Sequence, residues 1–307
     1  MAKSFDSLLP LYRDLATVVR RAGRIYPAAL ESHGGSPVGL TERAEDPLWV
    51  DTTLQAGGQE HLREVARRSP RMHDGPVLAC VATDGFPLIC AGGGYFDAIA
   101  TSDSLRAEYL DCVARDSELH IDLDALPLRR LAHEACAGDA LHSGRGRVAA
   151  VGVSVVVTLP VASGRALLLG LRSHGVATDP DMWHVAPSGT LEPEGADPVI
   201  DVVERELSEE LGVRVGTSEA LSARLKPLGI GFDLLRLRPE ICLLLDLSEQ
   251  ELPPQGLFLA PGEFQNQCLV ELSDSSMSEF WASHPPEILT PAAAAAIALL
   301  EAAETRA

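Results

Sequence analysis

The stretch of residues 188–213 constrains the fold more than any other part of the chain, because it carries both the start and the stop signals of one amphipathic helix. Asp197 is a good N-cap, Pro198 suits the first helical position and Gly212 is a good stop signal. The spacing predicts a helix of about fourteen residues. Its buried stripe would consist of four apolar side chains: Ile200, Val203, Leu207 and Leu211.

Three carboxylates, those of Glu206, Glu209 and Glu210, share one flank of this stripe within an arc of about 100°. Like charges three or four residues apart destabilise a helix by about 0.2–0.5 kcal/mol each, and the helix C-terminus also disfavours negative charge. A divalent cation such as Mg²⁺, which binds carboxylate and phosphate oxygens together, would offset this repulsion. The alternative from spacing alone is a solvated acidic face, with Arg205 as a surface partner of Asp201 and Glu209.

Residues 205–213, RELSEELGV, resemble the second half of the Nudix box. They match every fixed position of the pattern REUxEExGU, in which U is apolar. Five specified residues and two apolar sites at fixed spacing form a specific signal. The chain is therefore similar to the Nudix hydrolase superfamily over residues 147–305, and this resemblance favours a metal site over the solvated acidic face.

The first half of the box departs from the family pattern, which has Gly, five residues, Glu, seven residues and then Arg. Asp197 stands where that Glu belongs relative to Arg205. Gly189 is the natural box glycine, but seven residues separate it from Asp197. The loop of residues 190–196 is therefore two residues longer than the family pattern, and Asp197 is expected to act as the helix cap.

The resemblance implies an α/β fold, a Nudix-type α/β/α sandwich with a mixed sheet, on which the box forms a loop–helix–loop. It also implies Mg²⁺ or Mn²⁺ bound by the box carboxylates and by the carbonyl before the box glycine: Glu206, Glu209, Glu210 and Ser188. Arg205 would orient a box carboxylate, with Glu209 in reach one turn on. Such metals polarise phosphate oxygens and activate water, which would cleave a phosphoanhydride bond with Glu209 and Glu210 as the implied catalytic pair.

Three further positions outside the helix are candidates for the site. Glu240, which follows Pro239 in an apolar strand, is the candidate catalytic base, because a carboxylate outside the box often serves as base or ligand in this family. The alternative is an edge-strand residue in water. Trp183 and His184 precede the box where the substrate cleft would open, and they are expected to bind substrate together with Gly189. Trp183 would stack on a base or, alternatively, pack in the apolar core.

The polar, glycine-bearing segment 138–147 indicates a boundary between an N-terminal α+β domain, residues 1–146, and a Nudix domain, residues 147–307. In the first domain the patterns predict helices at 8–26, 59–68, 103–117 and 125–136, a hairpin at 76–91 and a loop at 31–58. In the second they predict strands at 148–159, 165–171, 182–186, 221–230, 234–247 and 267–272, and a last helix at 292–303 capped by Thr290. Substrate binding, homodimer formation and shielding of the cleft all remain open as roles of residues 1–146.

The charge balance restricts the partners, since 44 Asp and Glu against 25 Lys and Arg give a formal charge of −19. Polynucleotides are held by basic patches, so this balance argues against a nucleic-acid polymer. No signal pattern precedes the first elements and no window approaches the roughly 18 apolar residues of a membrane span, so a cytoplasmic protein that does not bind membranes is expected. The six cysteines form no CxxC or Cys/His cluster, which favours reduced, mostly buried thiols.

Two functions follow from these patterns. The first is metal-dependent hydrolysis of a phosphoanhydride bond in a nucleoside diphosphate linked to another moiety. The two-part layout is similar to that of bipartite nucleotide-sugar pyrophosphatases, which favours a nucleotide sugar as the small-molecule substrate. The second is a non-catalytic nucleotide sensor on the same fold. Retention of all three box carboxylates favours the enzyme, because a sensor has no need of such a metal site.

Overall fold

Two β-sheets and the helices packed on them make up the part of the chain that the computed structural model describes, residues 5–12, 17–32, 37, 39–70, 72–115, 121–252 and 259–306. The strands are β1 Val18–Arg21, β2 Arg24–Ser32, β3 Thr41–Arg43, β4 Pro76–Ala82, β5 Leu88–Gly94, β6 Gly152–Val161, β7 Gly164–Arg172, β8 Trp183–Val185, β9 Ser188–Thr190, β10 Lys226–Asp233, β11 Arg238–Asp246 and β12 Phe264–Glu271. The helices are α1 Thr52–Gly57, α2 Gln59–Arg68, α3 Tyr95–Ala98, α4 Ser104–Arg115, α5 Pro127–Ala135, α6 Pro198–Glu210, α7 Ser218–Arg224, α8 Asp274–Ser283 and α9 Pro291–Glu304. Short 3₁₀ and π turns add Phe5–Leu11, Glu249–Glu251 and Ile99–Asp103.

The larger sheet is mixed and has the strand order β1-β2-β10-β11-β6-β7-β12, with β9 paired to β6 and β8 paired to β7. Strands β11 and β6 run parallel, whereas their neighbours pair antiparallel. The smaller sheet has the order β3-β5-β4. The α/β class with a mixed sheet, predicted from the sequence, is confirmed.

Helices cover both faces of the larger sheet, because its central strands are apolar on both sides. On one face, α6 packs its Val199, Val203 and Leu207 with the odd-numbered apolar residues of β6 and β11. On the other face, the alanine-rich α9 packs with the even-numbered ones. A Cβ at Gly231 would lie 2.5 Å from Ala295 of α9, so glycine permits the close approach of this helix.

The N-terminal hairpin of β1 and β2 extends the larger sheet, since β2 pairs antiparallel with β10. The helix predicted over residues 8–26 is therefore wrong from residue 18 onward, and residues 13–16 lie outside the described residues. Val18 and Val19 are β-branched, and Ala22 and Gly23 turn the chain with φ of 49° and 71°. Pairing with a strand 200 residues away outweighs the weak helical periodicity. The domain division at residue 146 stays a prediction.

Other elements separate into confirmed and corrected predictions. Helices α2, α4, α5 and α9, the β4–β5 hairpin and strands β6, β7, β8, β11 and β12 lie where the sequence predicts them, although residues 116–117 of the predicted 103–117 helix lie outside the described part. The predicted loop at 31–58 contains β3 and α1, although residues 33–36 and 38 are not described. The predicted strand at 221–230 is divided between α7 and β10, because the side chain of Thr217 accepts from Ala220 N and caps a helix there. Helix α8 and strand β9 were not predicted.

The six cysteines are free, and all except Cys268 are buried. None of the helices in the described ranges is long and apolar enough to span a membrane.

Candidate functional site

Helix α6 begins and ends as its sequence predicts. The Asp197 side chain accepts hydrogen bonds from Val199 N at 3.1 Å and Ile200 N at 3.3 Å, and Pro198 occupies the first turn. The helix ends at Glu210, and Gly212 follows with a φ of 66°. The predicted role of Asp197, as the N-cap of the helix that follows the lengthened loop, is therefore confirmed.

Strand β9, which contains the box glycine Gly189, lies against α6. A Cβ at Gly189 would lie 2.8 Å from both Glu206 Oε1 and Val202 Cγ2, so only glycine allows this approach. Ser188 N donates a hydrogen bond to Glu210 Oε2 at 3.2 Å. Close packing therefore explains the box glycine, and the backbone of β9 holds one box carboxylate. Use of the Ser188 carbonyl as a metal ligand stays a prediction.

Glu206 and Glu210 are two partly or fully desolvated carboxylates that lie one helical turn apart on α6. Burial raises the pKa of Glu210 well above its ordinary value, and the charge of Glu206 raises it further, while Arg172 and Ser188 N oppose the shift. Burial also raises the pKa of Glu206, against the nearby Arg205, and Glu209 and Glu263 raise it further. A nearby cation would favour ionisation of both carboxylates, which makes the pair a candidate cation-binding site.

Arg205 pairs with a box carboxylate, as the resemblance implies, but that carboxylate is Glu206 and not Glu209. Its Nη1 lies 2.9 Å from Glu192 Oε1 and its Nη2 lies 2.9 Å from Glu206 Oε1. The expected pairing with Glu209 or Asp201 is wrong, and Glu209 is exposed. The two-residue-longer loop explains the difference, since it brings Glu192 alongside α6, and Arg205 reaches across to it. Arg205 thus positions Glu206.

A cleft of about 630 Å³ opens beside these residues. Glu192, Arg205 and Glu206 line it from the box, and Arg172 and Glu263 line it from β7 and from the segment before β12. Residues 68–70, 72–73 and 75–77 and Tyr95 of the N-terminal half form its other wall. Sequence reasoning missed Glu192, Arg172 and Glu263, and only the extra acidic residue in the lengthened loop offered a signal for any of them.

The oxygen ligands present fit a hard divalent cation in part. No three Asp, Glu, His or Cys side chains within the described segments converge closely enough to hold a metal by themselves. Mg²⁺, however, is usually bound by one or two carboxylates and completes its shell with water and substrate phosphates. Half-buried Glu206 and buried Glu210 meet that requirement, whereas Glu209 of the same helix is exposed.

Glu240 lies on the opposite face of the sheet from α6. It pairs in register with Gly231, which faces α9, and its Oε1 accepts a hydrogen bond from Ser154 Oγ at 2.6 Å. Glu240 is 5% exposed and sits in a central strand, so the alternative of an edge residue in water is wrong. The structure does not bring this candidate base to the box carboxylates, because the period-two alternation of β11 turns it away.

The ionisation of Glu240 is expected to make the protein less stable as the pH rises. Burial raises the pKa of Glu240 to about 7, against Arg238 and Ser154. A folded-state pKa above the unfolded one contributes stability that is present at about pH 4.5 and lost as pH rises through about 7, a change of about 3 kcal/mol. The Glu240→Gln variant should lack this decline when the free energy of unfolding is measured by urea titration between pH 5 and 8. The exposed Glu271→Gln variant is the matched control, and parallel curves for wild type and Glu240→Gln would contradict the expectation.

Trp183 and His184 do not line the cleft. The Trp183 ring lies edge-on to the His284 ring, with centroids 5.7 Å apart. It packs against the core on the α9 face of the sheet, which agrees with the alternative prediction that Trp183 belongs to the apolar core. His184 is buried, and its Nδ1 lies 2.8 Å from Thr290 Oγ1. Burial lowers the pKa of His184 to about 3, so its ring is neutral. Both residues join β8 to the start of α9.

Comparison with known proteins adds similar folds at low identity. No family model matches the sequence, and no curated protein does. A MutT/nudix family protein from Enterococcus faecalis matches with a TM-score of 0.31 and 18% identity, over 39% of this chain and 43% of that one. A bifunctional NMN adenylyltransferase/ADP ribose pyrophosphatase from Francisella tularensis, complexed with AMP and Mn ion, matches with a TM-score of 0.36 and 13% identity, over 68% and 49%.

The NUDIX domain of Shewanella oneidensis NrtR, complexed with ADP ribose, matches with a TM-score of 0.36 and 18% identity, over 51% of this chain and 86% of that one. The chain thus spans less than half the length of the first two proteins. All three scores lie below 0.5, so the chemistry of the site has to follow from its own side chains. In its box motif and in the solved structures that it matches, the chain resembles the Nudix superfamily.

Proposed function

We propose that this protein is a metal-dependent hydrolase of a phosphoanhydride bond in a nucleoside diphosphate linked to another moiety, with a nucleotide sugar as the favoured class. The observation that carries the proposal is the pair Glu206 and Glu210. Both carboxylates lie on the same side of α6, burial raises the pKa of each, and the charge of Glu206 raises the pKa of Glu210 further. A structural ion pair would match each of them with a cation, whereas among the described residues Glu210 accepts a hydrogen bond only from Ser188 N and has Arg172 nearby.

The residues of the cleft and of α6 beside it have different roles in such a reaction. Glu206 and Glu210 would hold Mg²⁺ or Mn²⁺, which supplies polarisation of the phosphate and a more acidic water when bound. Arg205 fixes the Glu206 carboxylate, because its Nε and Nη2 both donate to Glu206 Oε1 while its Nη1 donates to Glu192 Oε1. Arg68 and Arg172 also line the cleft and supply positive charge for an anionic substrate, which the formal charge of −19 would otherwise repel.

The experiment is a cleavage assay of the full chain on a panel of nucleoside diphosphate derivatives, including ADP-ribose and UDP-sugars. Products are separated by anion-exchange chromatography with Mg²⁺, with Mn²⁺ or with EDTA present. Cleavage between the two phosphates that requires metal is expected. Tight binding of a nucleotide without cleavage in either metal would instead assign the second candidate, a nucleotide sensor, which the exposed position of Glu209 favours.

A further inference from the structure

The N-terminal half forms one complete wall of the cleft, and hydrogen bonds fix that wall to the box side. Leu78 N donates to Leu191 O at 2.8 Å, which ties β4 to the lengthened box loop. Ser69 Oγ donates a hydrogen bond to Gly175 O at 2.9 Å, and Arg68 Nη2 donates one to Ala177 O at 2.8 Å. The wall is therefore held at both ends by loops of the C-terminal half that also line the cleft.

The chemistry of this wall differs from that of the box side. Met72, Pro76, Val77 and Tyr95 present apolar surface, and buried Val176 adds to it from the loop after β7. The Ser69 hydroxyl is already used in its bond to Gly175 O. Burial raises the pKa of Tyr95 to about 12, so its ring is neutral at ordinary pH. The carboxylates and guanidinium groups of Glu206, Glu263, Arg172 and Arg205 lie among the C-terminal lining residues.

We propose that residues 68–70, 72–73 and 75–77, together with Tyr95, form the subsite for the nucleobase of the substrate, with Tyr95 and Met72 against the face of the base. The inference rests on the proposed function, which places the phosphates beside Glu206 and Arg172. A volume of about 630 Å³ accommodates a mononucleotide, since small-molecule sites commonly measure about 300–1,000 Å³. The N-terminal half then binds the nucleobase, and the box helix supplies the residues for hydrolysis.

A nucleobase fits this wall better than a sugar does. A sugar ring presents hydroxyl groups on every side, and each one that loses water without a new partner weakens binding. The wall offers a flat aromatic ring and a flexible thioether, which suit the apolar face of a planar base. Arg68 and exposed His73 lie at the same wall and remain available to the polar edge of the base.

The test uses three probes that bind without being cleaved, with the full chain and saturating Mg²⁺. AMP carries base, ribose and phosphate, ribose 5-phosphate lacks the base, and methylenediphosphonate mimics the diphosphate alone. Calorimetry should show that wild-type protein binds AMP about tenfold more tightly than ribose 5-phosphate. Tyr95→Leu removes the ring, Tyr95→Phe retains it as the matched control, and Met72→Ala tests the wall independently if Tyr95→Leu does not fold.

The preference for AMP should fall towards equality in Tyr95→Leu and decrease in Met72→Ala, whereas Tyr95→Phe should match wild type. The dissociation constant of methylenediphosphonate should stay within about twofold in all three variants. Equal wild-type affinity for AMP and ribose 5-phosphate, or a preference that survives both Tyr95→Leu and Met72→Ala, would overturn the inference alone. Failure of methylenediphosphonate to bind wild-type protein would overturn the proposed function, and this inference with it.

Discussion

The Glu206→Gln and Glu210→Gln variants are each expected to lose at least about a hundredfold in kcat/KM while remaining folded. Glutamine keeps the size of the side chain and removes the charge that a divalent cation needs. The loss should come with weaker Mn²⁺ binding by calorimetry, and the double variant should bind none. Steady-state kinetics at saturating metal distinguishes lost affinity for the ion from lost turnover.

Stability should change in the opposite direction. Because burial and the charge of Glu206 raise the pKa of Glu210, its ionised form is disfavoured in the folded protein. Glu210→Gln should therefore raise the melting temperature in metal-free buffer at pH 8. If Glu210→Gln gains stability and loses activity, the Glu210 carboxylate is present for function and not for stability, a trade-off that is common at functional sites.

Glu204→Gln is the matched control, since Glu204 is an exposed carboxylate of the same helix that bonds Ser218 Oγ at 2.7 Å. Its activity and metal binding should equal those of wild type. Glu209→Gln should cost less activity than Glu206→Gln, because Glu209 points to solvent. If Glu209→Gln proved as damaging as Glu210→Gln, the active form would differ from this arrangement, and the three-carboxylate site implied by the family resemblance would be correct.

Local signals in the sequence predicted the box helix well. Asp197, Pro198 and Gly212 act within a few residues of themselves, so the cap and the end of α6 could be predicted without tertiary information. The count from Gly189 to Asp197 correctly indicated a longer loop and a capping role. The sequence pattern of the helix could not predict that Arg205 pairs with Glu192 of that loop and not with Glu209, because this contact depends on how the loop folds back onto the helix.

The misplaced residues share a different cause. Strand β11 is buried on both faces, so its run of apolar residues does not reveal which face Glu240 points to. Strands β1 and β2 depend on pairing with β10, which no local pattern specifies. The cleft wall opposite the box comes from residues 68–70, 72–73 and 75–77, more than a hundred positions away along the chain. Contacts between distant segments therefore limited the prediction of the site.

Removal of Arg236 is expected to destabilise the fold by about 3–5 kcal/mol, the usual cost of leaving buried charges without their partner. Arg236 is 2% exposed, and its guanidinium contacts three carboxylates from three separate segments. Its Nε lies 2.8 Å from Asp103 Oδ1, its Nη2 lies 2.8 Å from Asp179 Oδ1, and its Nη1 lies 2.7 Å from Asp233 Oδ2. The Arg236→Met variant keeps most of the volume, so the measured loss reports on charge. Urea unfolding followed by tryptophan fluorescence measures it.

The pH dependence distinguishes this cause from a simple packing defect. Burial opposes ionisation of Asp179, but Arg236 and Arg106 outweigh it and hold the pKa of Asp179 well below its ordinary value. A depressed pKa contributes stability that is present above about pH 4 and lost at lower pH. Without Arg236, burial would favour the protonated form of Asp179, so the deficit of Arg236→Met should be largest at pH 8 and shrink towards pH 5. Arg63→Met, which removes an exposed pair with Glu60, should change stability by no more than about 0.5 kcal/mol at either pH. A deficit of equal size at both pH values would mean that Arg236 acts by filling space, and that the three aspartates do not depend on its charge.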